Sequence, residues 1–379
     1  MGIMGNPGAA RLAWAAGLAW SLSACGQTVS VLLYQGQQVG SVGQVTTIDN
    51  LAVNDSGHWI VEVDTNNPVT TADSMMVMDG AMYLREDQSL AAPTGATIGF
   101  FDSVNLNASG HSGWNFELRN TVPSDQGLYF DTTLVLRRGT ISTASGFSPN
   151  TPYLAFSEAA INDSNQILVC ARVDDPGIPN ATNFAMVRVD YNAAAGMYSE
   201  VVLSKQGELV PELGGGITDF ATARETMAIS NNGDAVFVAL VGNYGGVFRA
   251  NGSGRWTLAA DGGASPIPGR SWRSMAAGSV DLNNAGDWVL CGTLEGDFAT
   301  AAIIVKNNQK VVQQGDAPPG IPPPPGGGAW RLTSFGSSVY KPVQMSDRGE
   351  VLWFGDWDDP STFSDTALFV NEKPILRKG

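Results

Sequence analysis

Ala228-Ile229-Ser230-Asn231-Asn232-Gly233-Asp234-Ala235-Val236-Phe237-Val238-Ala239 is the stretch that decides the fold. A short apolar approach runs into a polar turn ending in Gly, and five apolar residues in a row follow Asp234. The turn chemistry is specific: an Asn or Ser side chain bonds its own backbone, and Gly accepts the left-handed conformation that closes the turn. A strand that is apolar at consecutive positions is buried on both faces, as happens when sheets stack face to face.

The unit recurs six times, with turns at 54–57, 107–110, 162–165, 230–233, 283–286 and 346–349. The strand after the turn reads Trp59-Ile60-Val61 in the first copy, Ile167-Leu168-Val169-Cys170-Ala171 in the third and Val351-Leu352-Trp353-Phe354 in the sixth. Successive turns lie 53 to 68 residues apart. Asn165 stands where the other copies carry Gly, and Asn is the other residue that tolerates a left-handed backbone. A second element closes each repeat: a short apolar strand running into a turn, as in Leu134-Val135-Leu136-Arg137-Arg138-Gly139 and Pro374-Ile375-Leu376-Arg377-Lys378-Gly379. Val31-Leu32-Leu33-Tyr34-Gln35-Gly36 is a seventh copy of it, ahead of the first turn. With the approach and a middle strand such as Ser74-Met75-Met76-Val77-Met78, each repeat offers about four strands.

Four-stranded units of this period predict an all-β fold, a β-propeller of about six four-stranded blades, with seven blades as the alternative. Val31–Gly36 is expected either to close the ring against the C-terminal blade or to form an extra edge. Helix signals are confined to a brief stretch near Ala221–Glu225. Loop insertions are expected at Gly214–Phe220 and Ala317–Gly328, the latter an exposed Pro- and Gly-rich loop.

Composition agrees. The chain has 379 residues, 45 of them Gly, and only 15% are charged, against roughly 25% charged and ~7% Gly in ordinary soluble domains. Short strands and tight turns account for that imbalance better than solvated helices. A formal charge of −15 disfavours nucleic acid and anionic membrane surfaces as partners.

Residues 1–26 read as an export signal: Arg11, then an apolar stretch from Leu12 to Leu22, too short to span a bilayer, then small residues. Leu22-Ser23-Ala24-Cys25 resembles the lipobox of bacterial lipoproteins, making Cys25 the candidate lipidated residue. Ordinary cleavage before Gln27 is the competing reading. Residues 27–379 then form a single propeller domain, exported and either lipid-anchored at the cell envelope or secreted. Cys170 and Cys291 occupy equivalent positions in non-adjacent repeats, too far apart for a disulfide, and are expected to be buried thiols.

Ser230-Asn231-Asn232-Gly233-Asp234-Ala235-Val236-Phe237 and its sister turns resemble the NxxGxxAF tandem repeat of exported bacterial proteins. Gln314-Gly315-Asp316-Ala317-Pro318-Pro319-Gly320 is similar to the Gly-Asp-x-x-Pro-Gly segment common in that family. The resemblance spans about residues 28–379; Ser346-Asp347-Arg348-Gly349 and Asn165 depart from the motif. It implies an exported, propeller-like domain without an established activity, and it transfers no catalytic residue.

Groups able to do chemistry are scarce. His58 and His111 each follow a turn residue, where other repeats hold Gln166, Asp234, Asp287 and Glu350, so a polar turn position explains them better than a metal site spanning two blades. The turn Asp residues lack the alternating ligands of a calcium loop. Glu62, Glu117, Glu158, Glu225 and Glu295 are scattered over the repeats, and no nucleophile elbow or phosphate loop occurs. Trp59, Trp114, Trp288 and Trp353 lie at even offsets from the turn Gly on the strand that follows it, on one face, and are expected in the core, whereas Trp256, Trp272, Trp330 and Trp357 are expected near the surface. The sequence therefore leads us to expect no catalytic, metal or cofactor-binding residue and a monomeric binding or scaffold module for a protein or glycan, touching membrane only through a lipid. The alternative is a glycan-active hydrolase or lyase with its site at one mouth of the central channel.

Overall fold

The computed structural model describes residues 30–178, 183–223, 226–336 and 342–378. The export segment and Cys25 lie outside them. Six antiparallel sheets follow one another along the chain as the six blades of a β-propeller. In blade 3 the order is inner strand Tyr153–Ile161, second strand Gln166–Val173, third strand Asn183–Asn192 and outer strand Met197–Lys205. The apolar approach of each repeat is the inner strand, and the strand after the turn is the second.

Each turn is built as its residues require. In the third, Asn162 Oδ1 accepts from the amides of Ser164 at 3.0 Å and Gln166 at 2.9 Å. The last position of the turn is left-handed, with φ of 84° at Gly57, 83° at Gly110, 79° at Gly233 and 57° at Asn165. The second strands of blades 3 and 4 are buried on both sides; Ile167, Leu168, Val169, Cys170 and Ala171 are all fully buried, and so are Ala235 to Ala239.

Packing between blades forms five apolar clusters, each joining one blade to the next. Ile60, Met76 and Leu84 of blade 1 meet Trp114, Phe116 and Tyr129 of blade 2 in one of them. Burial of each such side chain stabilises the fold by roughly 1.5–3 kcal/mol. The loop leading into each blade adds an apolar plug to the same seam, Phe147 in one and Val210 in another. One backbone bond anchors these loops throughout: the residue after the outer strand donates to the next inner strand, Gly139 to Tyr153 at 2.7 Å, Gly207 to Ile217 at 2.8 Å and Gly315 to Leu332 at 2.8 Å.

Details differ from the expectations. Val31–Gly36 is not a strand, and blade 6 draws all its strands from 332–377. A two-residue edge, Gln38–Val39, instead pairs with the start of the first inner strand, Gly43–Val53. Yet Gly36 donates to Val45 at 2.7 Å, the anchoring bond just described, so Val31–Gly36 stands where the outer strand of a preceding blade would. Gly215–Phe220 is a strand, not an inserted loop, because Ile217 and Phe220 pack into the core. The interruption falls after it, where 221–226 splits the inner strand of blade 4; Ala221–Ala223 is not helical, and 224–225 lie outside the described residues. Trp114, Trp288 and Trp353 are core residues as expected, and Trp59 is half-buried. Trp272 and Trp357 are also buried, because each sits at a strand end covered by a lead-in or by Arg377, whose guanidinium lies 5.3 Å from the Trp357 ring. Ala317–Gly328 is a mostly exposed loop that tucks Ile321 against the core.

Turn-to-turn bonds tie the blades together. Asn54 Nδ2 donates to the Asn107 carbonyl at 2.8 Å, Asn107 to that of Asn162 at 3.2 Å, and Asn162 to that of Ser230 at 2.7 Å. Replacing the buried Asn162 by Ala removes the turn cap and the bond to blade 4 together. Denaturant unfolding is expected to show a loss of about 3 kcal/mol for Asn162→Ala, against under about 1 kcal/mol for the exposed Ser56→Ala.

Candidate functional site

The second strands of blades 1 and 2 both carry polar residues at alternate positions, and in blade 1 they are acids at both. That of blade 1 reads Trp59-Ile60-Val61-Glu62-Val63-Asp64-Thr65, with charges at two alternating positions on the face turned to blade 2. Equivalent positions hold Asn115 and Glu117 in blade 2, Cys170 and Arg172 in blade 3, Val238 and Leu240 in blade 4, Cys291 and Thr293 in blade 5, and Phe354 and Asp356 in blade 6, so Glu62 is the acid without a counterpart. The carboxylates open the junction into a cleft of about 410 Å³ lined by Asp49, Asn50, Glu62, Asp64, Thr70, Asp73, Ser74, Glu86 and Phe100.

Each acid arrives by a different element. Asp49 and Asn50 sit in a bulge of the inner strand, between the Ile48–Val63 and Leu51–Val61 pairs. Asp73 precedes the third strand, Ser74–Met78, and Glu86 follows the outer strand, Ala81–Arg85, with its amide donating to the Ser74 carbonyl at 3.0 Å. Asn50 Nδ2 donates to Glu62 Oε2 at 2.8 Å and orients it. Glu86 is buried, with the Arg119 guanidinium 3.6 Å away; Arg119 also donates to the Thr71 carbonyl at 2.6 Å. Phe100, 55% exposed on the inner strand of blade 2, forms an apolar lip.

Five carboxylates in one cleft cannot ionise independently. Burial, then the charges of Asp49 and Asp73, raise the Asp64 carboxyl above the usual aspartate range. Burial likewise raises Glu86, with Asp73 and Asp64 adding to the effect and Arg119 opposing it. The cleft thus holds two carboxyls that give up their protons less readily than exposed ones, beside other acids. That arrangement can attract a cation, or hold and release protons.

The sequence candidates separate. Glu62 joins this cleft, Glu117 is exposed on the second strand of blade 2, Glu158 is buried on the inner strand of blade 3, Glu295 lies by Arg270 in another hollow, and Glu225 lies outside the described residues. His58 Nδ1 meets Asp79 Oδ2 at 2.8 Å and His111 Nδ1 meets Asp131 Oδ2 at 2.7 Å; these aspartates occupy the hairpin between third and outer strands. Gln166 with Asp190, and Asp234 with Arg249, make the same connection in blades 3 and 4. The histidines therefore serve a repeated structural position. Cys170 and Cys291 are free thiols, both pushed up to about 12 by burial. Among the described residues no three His, Cys, Asp or Glu side chains are grouped to hold a metal ion. Asp49, Asp64, Asp73 and Glu86 were not singled out from sequence; the visible signal was Glu62 and Asp64 on an otherwise apolar strand.

No family model matches the chain, and no curated protein does. Among solved structures it is similar to a polysaccharide lyase, an ulvan lyase, at 12% identity over 93% of this chain and 84% of that one, with a TM-score of 0.41. It is also similar to prolyl oligopeptidase B from Galerina marginata, at 8% identity over 82% and 46% of the two chains, TM-score 0.27. A third is PorZ, a surface component of the type-IX secretion system of Porphyromonas gingivalis, at 15% identity over 86% and 49%, TM-score 0.18.

A carboxyl whose folded-state pKa is raised favours the folded protein least when it must ionise, so its cost appears as pH rises from its unfolded towards its folded pKa and persists above. Asp64→Asn is therefore expected to raise the melting temperature at pH 7 by roughly 1–3 °C, given about 2–4 °C per kcal/mol for large domains. The gain should vanish near pH 3, where Asp64 is protonated in both states. Thermal melts at the two pH values measure it.

Proposed function

We propose that this chain is an exported, envelope-associated binding module of the tandem-repeat type described above, whose ligand carries an amine that seats in the acidic cleft between blades 1 and 2. The observation that carries this reading is the convergence of Asp49, Glu62, Asp64, Asp73 and Glu86 on one cleft, beside the exposed Phe100. A protonated amine relieves the mutual repulsion of those carboxylates, and an aromatic lip suits the apolar face of a sugar ring or a lysine stem. The cleft's size fits one such group. Uronate and sulfated chains are repelled by the same charge. Export, and lipidation at Cys25, place the module at the cell surface, where amino sugars and basic side chains are abundant ligands.

A second reading rests on the raised carboxyls themselves. Asp64 and Glu86, whose carboxyls are raised by burial and by the neighbouring acids, lean towards the character of the acid partner in glycan cleavage. A neutral or amino-sugar chain is then the substrate.

One experiment serves both. Glucosamine oligosaccharides and their N-acetylated counterparts, which share a backbone and differ in charge, are titrated calorimetrically against the mature chain. The binding reading predicts that only the amine form binds, that affinity rises with pH as Asp64 and Glu86 ionise, and that Glu62→Gln weakens it about tenfold, or 1.4 kcal/mol. Equal binding of both forms contradicts it. Shortening of the oligosaccharide during incubation, abolished by Glu86→Gln, establishes the enzyme instead.

A further inference from the structure

The seam between blade 6 and blade 1 lacks contacts that four other seams make. The amide of the second turn residue in one blade donates to its counterpart's side chain in the next: Ala108 to Asp163 at 2.6 Å, Asp163 to Asn231 at 2.8 Å, Asn231 to Asn284 at 2.5 Å and Asn284 to Asp347 at 3.1 Å. Among the described residues no hydrogen bond joins Asp347 to Asp55, where the series would continue. Side chains of the preceding blade reach the last turn residue at Gly110, Gly233, Gly286 and Gly349, through Met78, Arg188, Arg249 and Lys306, whereas a Cβ at Gly57 would meet nothing within 4 Å.

Among the described residues the leading face of blade 6 is accordingly covered only in part, its side chains half-buried or exposed. Apart from Asp356 and Thr366, which bond each other at 2.7 Å, it is apolar, formed by Leu352 and Phe354 of Val351–Trp357, Leu368 and Val370 of Thr366–Val370, and Leu376 of Lys373–Arg377. Leu376 is 37% exposed, while its equivalents Leu84, Leu136 and Val312 are 0%, 1% and 3% exposed. Across the seam stand the exposed Val53 and, at the outer rim, Val31–Gly36 in the position of an outer strand. The backbone groups of Val31, Leu32 and Leu33 make no hydrogen bond to the main chain of the described residues. At its turn end the seam opens onto a cavity of about 450 Å³ that reaches on to the turns of blades 2 and 3 at Ala108 and Asp163; Val53, Leu352 and Val370 line it on the seam side, with the carboxylates of Asp55, Asp347 and Glu350.

We infer that this seam is a docking slot for an extended β-segment of a partner protein in which apolar residues alternate with Lys or Arg. Three features select that occupant. The partly covered face is a sheet surface with apolar residues at alternate positions, which a strand with period-two side chains matches. Val31–Leu33 offers a free edge to pair with, the mode of strand addition. The carboxylates at the turn end complement basic side chains and disfavour acidic ones. The slot is separate from the cleft between blades 1 and 2 and stands whether or not that cleft binds amines.

The probe is a synthetic peptide alternating Val and Lys, compared with one alternating Val and Glu, measured by fluorescence anisotropy on the mature chain. The Val–Lys peptide is expected to bind, the Val–Glu peptide to bind at least tenfold more weakly, and Phe354→Glu to cost a further tenfold or more while leaving the thermal melt unchanged. Amide exchange at Val31–Leu33 should slow when the Val–Lys peptide binds, a readout independent of any variant. Equal affinity for both peptides, binding insensitive to Phe354→Glu, or unaltered exchange at Val31–Leu33 overturns the inference. So does a dimer in sedimentation that Phe354→Glu dissociates, which makes a second copy the occupant, or a disulfide forming between cysteines placed at 53 and 352, which makes blade 1 the cover.

Discussion

The amide of the turn-opening Asn is the interaction on which the rest depends. Its oxygen closes the turn within its own blade and its nitrogen bonds the turn of the next, so one side chain sets both the local conformation and the spacing of neighbours. Apolar packing supplies most of the stabilisation, yet packing alone is non-directional. Amides at Asn54, Asn107, Asn162 and Asn283 set the order of the blades they join, because each unmade bond inside the seam costs the desolvation of its group; blades 4 and 6 open their turns with Ser230 and Ser346 instead.

That arrangement explains where function can reside. Positions consumed by the turn network or the blade cores are not free for a ligand, and the histidines and cysteines belong to those positions. Departures from the repeat are then informative. Glu62 stands where blades 3 to 6 hold Cys170, Val238, Cys291 and Phe354, and with Asp64 beside it the junction opens into an acidic cleft instead of closing. At the ring's ends the series stops: blade 6 keeps the apolar face that its counterparts bury, and Gly57 has no neighbour. Both candidate sites are places where the repeat fails to satisfy itself.

Most of the fold was legible because the repeat's chemistry is local. Asn-x-x-Gly specifies a turn from four residues, and consecutive apolar residues report a strand buried on both sides without knowledge of its neighbours. Even Asn165 was readable, since its left-handed backbone follows from its residue type. Features set by distant contacts were not. Trp272 and Trp357 look like surface residues at strand ends, and only the lead-in loop and Arg377 show them to be covered. Gly215–Phe220 has too few apolar residues to announce a strand, and Ile217 and Phe220 acquire their meaning from blade 3 packing against them. Of the acidic cleft, the charge pair on the second strand was visible, while Asp73 and Glu86 come from segments whose course only the folded sheet determines. Seven closing strands against six turns did signal an imbalance at the ring's ends; which side of the seam it left only partly covered required the structure.

Amide hydrogen exchange at the second residue of each turn tests most directly whether the turn network orders the blades and ends at the seam. The amides of Ala108, Asp163, Asn231 and Asn284, each bonded to the following turn, are predicted to be strongly protected, and those of Asp55 and Asp347 to exchange rapidly. Protection of Asp347 equal to the other four would show the ring to be sealed between blades 6 and 1, and uniformly fast exchange would show that the turns do not hold the blades at all.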